Sequence, residues 1–121
     1  MIPYDKLQKL IYQRLSLTGN PVFDHLPPTS SGRFYLIGEA GAVDRGVCWE
    51  ITCTVRAIGD IRTTMQAAEM ITAASEQLFA ILTGDGITAR PLNRGTSRIL
   101  RSADDNKSAI LRMRYLVYEN E

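Results

Sequence analysis

The stretch Val47 to Ile58, VCWEITCTVRAI, does most to limit what this chain can become. It alternates throughout. Val47, Trp49, Ile51, Cys53, Val55 and Ala57 fall on one side, and Cys48, Glu50, Thr52, Thr54, Arg56 and Ile58 on the other. Successive side chains of a strand point to opposite faces, so this pattern predicts a long, half-buried antiparallel strand. The strand ends at Gly59-Asp60, and a helical pattern follows at once. The apolar face of the strand is then covered by a helix.

That helix is clearly punctuated. Thr63-Thr64-Met65-Gln66 fits a capping box with Thr63 as N-cap and Gln66 at N3. Met65, Ala68, Ile71, Thr72, Ser75, Leu78, Phe79 and Leu82 trace one face, and Gly84 is placed to end the helix at C′. Ala67, Ala68, Ala73 and Ala74 keep it slim, which suits close packing on a sheet or on another subunit. An earlier helix is predicted from Pro3 or Tyr4 to about Leu15. Leu7, Leu10, Ile11 and Leu15 form its apolar stripe and Pro3 sits in its first turn.

Between the helices, Val22 to Leu26 reads as a short strand bounded by Pro21 and Pro27-Pro28, and Thr29 to Gly32 as a turn. Arg33 to Gly38 is a second strand. Glu39 to Gly46, with Asp44 and Arg45, reads as a long hairpin loop leading into the central strand. After the second helix, Ile87 to Gly95 is loop-like and Ser97 to Ser102 a candidate strand. Ala103 to Lys107 is a polar turn. Ser108 to Tyr118 is a last strand with Ala109, Leu111, Met113, Tyr115 and Val117 on one face. Its other face, Ile110, Arg112, Arg114, Leu116 and Tyr118, is amphipathic. With Ile58, Leu116 and Tyr118 suggest a surface that another chain covers. The expected fold is α+β. It is a mostly antiparallel sheet with two helices packed on one face, in the order α-β-β-β-α-β-β, within a single domain of residues 1–121.

Composition restricts the function classes. With 45% hydrophobic and 22% charged residues the chain is an ordinary globular one. Its net charge of +1 gives no general affinity for nucleic acid. The charge is unevenly spread, however. Residues 1–89 carry a net of −2 and residues 90–121 a net of +3, mostly from Arg90, Arg94, Arg98 and Arg101. Such a segment reads either as a solvated edge or as a basic patch for an acidic partner or DNA backbone. Cys48 and Cys53 lie about 17 Å apart along the strand, too far for a disulfide, and read as free thiols of a reducing compartment. The charged first ten residues give no secretory signal, and no apolar run reaches a membrane span. A soluble protein of a cytoplasm is expected.

No catalytic pattern emerges. His25 is the single histidine, and on a strand its neighbour Asp24 points to the opposite face, so no dyad is expected. One histidine and two divergent cysteines cannot assemble a zinc site. Asp104-Asp105-Asn106 lacks the ligand spacing of a calcium loop and reads as a turn. Gly84-Asp85-Gly86 follows a helix instead of opening one, so it offers no phosphate cradle. Trp49 and the tyrosines do not form a base-stacking array. No catalytic, cofactor-binding or metal-ligating residue is assigned. Small size without a site, with a basic segment and a long loop, points to an assembly protein.

Several phrases carry a family resemblance: VFDHLPP after the first helix, FYLIGEA, WEITCTVRAIGD, the helix AAEMITAASEQLFAIL and the closing SAILRMRYLVY. Asp24-His25-Leu26-Pro27 and Phe34 to Gly38 occupy the places of an Asp-x-x-Pro phrase and an aromatic-rich strand ending in Gly. Arg112 and Arg114 fit a recurring final strand. Over about residues 4–118 the chain resembles the tail-completion, or tail-terminator, proteins of long-tailed bacteriophages and prophages. The resemblance implies a non-enzymatic virion protein of the tail and neck, made in the bacterial cytoplasm and needing no cofactor. It would form a hexameric ring that caps the tail tube and meets the head connector, with DNA passing through the lumen without sequence-specific binding. It implies interaction roles for Arg90, Arg94, Arg98, Arg101, Arg112 and Arg114 towards lumen or neighbour, and for Glu39, Asp44 and Arg45 towards tube or head. Two other classes remain open: a different neck or minor-capsid component, and a small-molecule-binding α+β domain.

Overall fold

A computed structural model describes residues 1–26, 32–101 and 106–120. The predicted turns around Pro27-Pro28, Thr29 to Ser31 and Asp104-Asp105 lie outside them. The elements run α1 (Tyr4–Ser16), β1 (Val22–Phe23), β2 (Arg33–Asp44), β3 (Trp49–Gly59), α2 (Thr64–Leu78), β4 (Leu82–Gly84), β5 (Ile87–Pro91), β6 (Thr96–Arg101) and β7 (Lys107–Glu119). One sheet has the order β1-β2-β3-β7-β5-β4, and β6 also pairs with β7. Only β1 is parallel to its neighbour; the other pairings are antiparallel. The α+β class and the helices on a single face are as expected from sequence.

The long alternating stretch is β3, in the middle of the sheet between β2 and β7. Ile51, Cys53, Val55 and Ala57 are buried on its inner face, and Trp49 packs partly buried against the same core. Val47 is not part of the strand and is 86% exposed. β7 adds Ala109, Leu111, Met113, Tyr115 and Val117 to that core. Both cysteines are buried free thiols. Burial pushes the Cys53 thiol up to about 12, so it remains protonated and unreactive near neutrality.

Two tyrosines pin α2 to the sheet. Tyr35 Oη donates to the Met70 carbonyl (2.7 Å), and Tyr115 Oη donates to the Leu78 carbonyl (2.6 Å). The second bond matters because the last carbonyls of a helix have no partner within it. A buried tyrosine needs such an acceptor. Arg14 Nε donates to the Gln77 carbonyl (3.0 Å) and ties α1 to the same helix end. The capping box forms as expected: Thr63 accepts from the Gln66 amide (3.1 Å), and Gln66 Oε1 accepts from the Thr63 amide (3.2 Å).

Several expectations are corrected. The buried face of α2 is Ala67, Met70, Ile71, Ala74 and Leu78, while Met65 is 71% exposed. The expected stripe through Met65, Ala68, Thr72, Ser75 and Phe79 is rotated away from the true one, which runs through the fully buried Ala67 and Ala74. α2 stops at Leu78, and Gly84 does not cap it; Gly84 sits in β4, which turns tightly into β5. Asp85 (φ 51°) and Gly86 (φ 81°) are both left-handed, as a two-residue type I′ hairpin requires. Pro3 is the N-cap instead of a first-turn residue. Ile87 to Pro91, expected as loop, forms β5 against β7. Glu39 to Asp44, also expected as loop, continues β2. A bulge between Ile37 and Ala40 sets both Gly38 and Glu39 opposite Thr54 and leaves inner and outer faces in phase. The hairpin tip shrinks to Arg45–Cys48, closed by the Arg45 amide on the Cys48 carbonyl (2.9 Å).

A candidate polyanion-binding face

The helices cover one face of the sheet and leave the other bare. The strand pairings order the bare face into rows. The first contains Leu36, Arg56, Ile110 and Arg98; the second Thr54, Arg112 and Thr96. The third pairs Thr52 with Arg114, and the fourth aligns Val43, Glu50, Leu116 and Arg90. The rows follow from one physical fact: directly opposed residues of antiparallel neighbours share a face. Six residues of β7 separate the first row from the fourth, a track of about 20 Å.

At one end of this track lies an open trough of about 600 Å³, whose walls include Arg56, Arg98 and Arg112 with Thr54, Thr96 and Ser97. Glu39 also lines it and is its one carboxylate among the described residues. Arg56 and Arg98 flank Ile110 at two strand spacings, about 10 Å between backbones. None of the three arginines pairs with a carboxylate among the described residues.

Further along, charge is balanced. Glu50 accepts from Arg114 (2.8 Å) and from Arg45 (3.1 Å), and its side chain is only 12% exposed. The Arg114 hydrogen bond, followed by that of Arg45, holds the Glu50 carboxyl below its usual range against the opposing effect of burial.

The basic segment of the sequence therefore divides. Arg90 and Arg98 join the outer face with Arg112 and Arg114. Arg94 lies on the helix side, its guanidinium 4.5 Å from the centre of the Phe79 ring, with its carbonyl accepting from Ser75 Oγ (3.2 Å). Arg101 pairs opposite Lys107 and faces the other way from Arg98. Glu39 lines the trough, Asp44 ends β2 and accepts from the Gly46 amide (2.8 Å), and Arg45 is in the hairpin tip. Sequence reasoning missed Arg56, although its place on the polar side of the alternating stretch was readable. Which strands would bring other arginines beside it was not.

His25 corrects an expectation as well. β1 ends at Phe23, the chain bends, and His25 Nδ1 donates to Asp24 Oδ1 (2.6 Å). That hydrogen bond is the main reason the Asp24 carboxyl lies below its ordinary range. Both side chains are largely exposed, and the groove that Asp24 borders with Asp5, Lys9 and Tyr12 is open, so a proton transfer there would not be shielded from water. No group of three or more His, Cys, Asp or Glu residues suited to a metal occurs among the described residues. No helix among them is long and apolar enough to cross a membrane.

The helices thus occupy one face of the sheet, and Arg56, Arg90, Arg98, Arg112 and Arg114 stand on the other. No protein-family model and no curated protein matches the chain. Among solved structures, it is similar to a chain in the virion of a native gene transfer agent particle. The TM-score is 0.69 and the identity 21%, over 94% of this chain and 95% of that one. The two share a fold from end to end.

Proposed function

We propose that this chain is a non-enzymatic assembly protein of a phage or prophage-like particle, one that caps the tail tube and joins tail to head as a hexameric ring. The observation that carries the reading is the fold shared end to end with a virion chain, together with the phrase-level resemblance to tail-completion proteins. In this reading the Glu39–Arg45 arm meets the tube or the head, and DNA passes through the lumen without sequence-specific recognition.

The sheet supports assembly. β6 and the distal half of β2 (40–44) are open edges, as is the short β4 at the end of the order, since none of them pairs with a further strand there among the described residues. Because β2, β3, β7 and β6 alternate in direction, β6 of one copy laid beside β2 of the next runs antiparallel. The sheet then continues from copy to copy. One heterologous contact with a closing rotation is enough to make a ring.

Light scattering over a range of concentrations, followed by pull-down with purified tail tubes, tests the reading. The expected result is a particle of six 13.5 kDa chains, either in free solution or templated on the tube. A chain that stays monomeric and leaves tubes unbound overturns it.

A further inference from the structure

Arg56, Arg98 and Arg112 present three guanidinium groups to one trough without an ion pair among the described residues. Elsewhere on the same face Arg114 is neutralised by Glu50. Like charges gathered on three neighbouring strands repel one another, so the cluster lowers its energy by taking up an anion. Guanidinium forks match phosphate oxygens in bidentate geometry. The hydroxyls of Thr54 and Thr96, on the same face, add donors among them.

The shape selects the anion. The trough is open, and beyond the Arg114–Glu50 pair the same face continues to Arg90, about 20 Å along β7. A strand of DNA carries one charge per 3.4 Å, so this track matches about six nucleotide steps of backbone. The trough wall has no aromatic ring on which a base would stack, so its contacts are with backbone and not with sequence.

We propose that this face, centred on Arg56, Arg98 and Arg112, binds the phosphodiester backbone of duplex DNA. The inference rests on the conduit reading above only for its choice of polyanion. It assigns to the isolated chain a binding property that a passive lumen would not have.

The test is fluorescence anisotropy of a labelled mixed-sequence duplex of about 20 base pairs, titrated with the protein between 50 and 200 mM salt. With about three phosphates neutralised, log K falls against log salt with a slope near −3. A·T-rich and G·C-rich duplexes bind alike within about twofold. The triple variant Arg56→Gln, Arg98→Gln, Arg112→Gln weakens binding at least tenfold at 50 mM salt, and these exposed positions leave the melting temperature unchanged. Equal binding by the triple variant overturns the inference. So does the absence of binding by the unaltered protein, and so does a polyglutamate peptide that displaces DNA charge for charge, which would make the face a seat for an acidic protein. Light scattering on the same samples without DNA reads assembly separately. A ring that ignores DNA sinks only this inference; a monomer that binds DNA upholds it, and the ring is then decided by the tail-tube pull-down.

Discussion

Glu50 shows how one residue sorts the charges of the outer face. The alternation of β3 places it away from the core, yet Arg114 and Arg45 enclose it until little of its side chain meets water. Its carboxyl is held below the ordinary value of 4.5. A lowered value means that the folded state favours the ionised form. The stabilisation is therefore complete above the ordinary glutamate range and disappears as pH falls through the depressed value. Urea unfolding of Glu50→Gln against the unaltered chain should show a deficit at pH 7 that closes as the pH falls through the depressed value. A deficit constant with pH would place the effect in packing. The alternation alone revealed that Glu50 faces outwards. That Arg114, 64 positions away, would meet it depended on the register of β3 against β7, which no local pattern encodes.

At the scale of elements, the readable parts were those whose signal is local. The apolar stripe of α1, the capping box of α2 and the alternation of β3 and β7 each depend on neighbours within a few positions, and all four elements formed, although α2 buries a different face and ends earlier than its pattern predicts. The misread parts depend on context. Ile87 to Pro91 has too few residues to show a period, and becomes a strand because β7 offers it an edge. The Asp85-Gly86 turn carried a hairpin signal that the preceding helix pattern obscured.

The break between β5 and β6 is the clearest case. Leu92 to Gly95 bulge out of what would otherwise be one strand beside β7, and Gly95 makes the return with φ +85°. A Cβ there would lie 2.5 Å from Met113 Sδ and 2.7 Å from the Arg112 carbonyl oxygen. Gly95→Ala should cost about 1–3 kcal/mol from backbone strain and overpacking. It would be read as a lower urea midpoint with an unchanged slope. Because the bulge orients β6, the trough should distort with it. A midpoint within error of the unaltered chain would show that the bulge relaxes freely.

For the whole molecule, the decisive property is what the sheet leaves uncovered among the described residues: one broad face and the open edges of β6 and distal β2. Lysine on an edge strand blocks pairing at little cost to the subunit. Val43 and Ile99 lie on the two edges and are exposed. The double variant Val43→Lys, Ile99→Lys should keep the melting temperature of the unaltered chain but lose assembly, seen as monomer mass by light scattering under conditions where the unaltered chain forms a ring. A ring of full mass would show that the copies meet elsewhere. By itself the sequence determined the class of fold, the two helices, the long strands and the inner face of the sheet, because periodicity and caps act over a few residues and set which side of each element avoids water. It also placed the excess of positive charge in the last quarter of the chain. Only the tertiary structure decided that Arg90 and Arg98 stand with Arg56, Arg112 and Arg114 while Arg94 and Arg101 turn away. That sorting follows from strand order, register and one four-residue bulge, which are properties of pairings between distant segments.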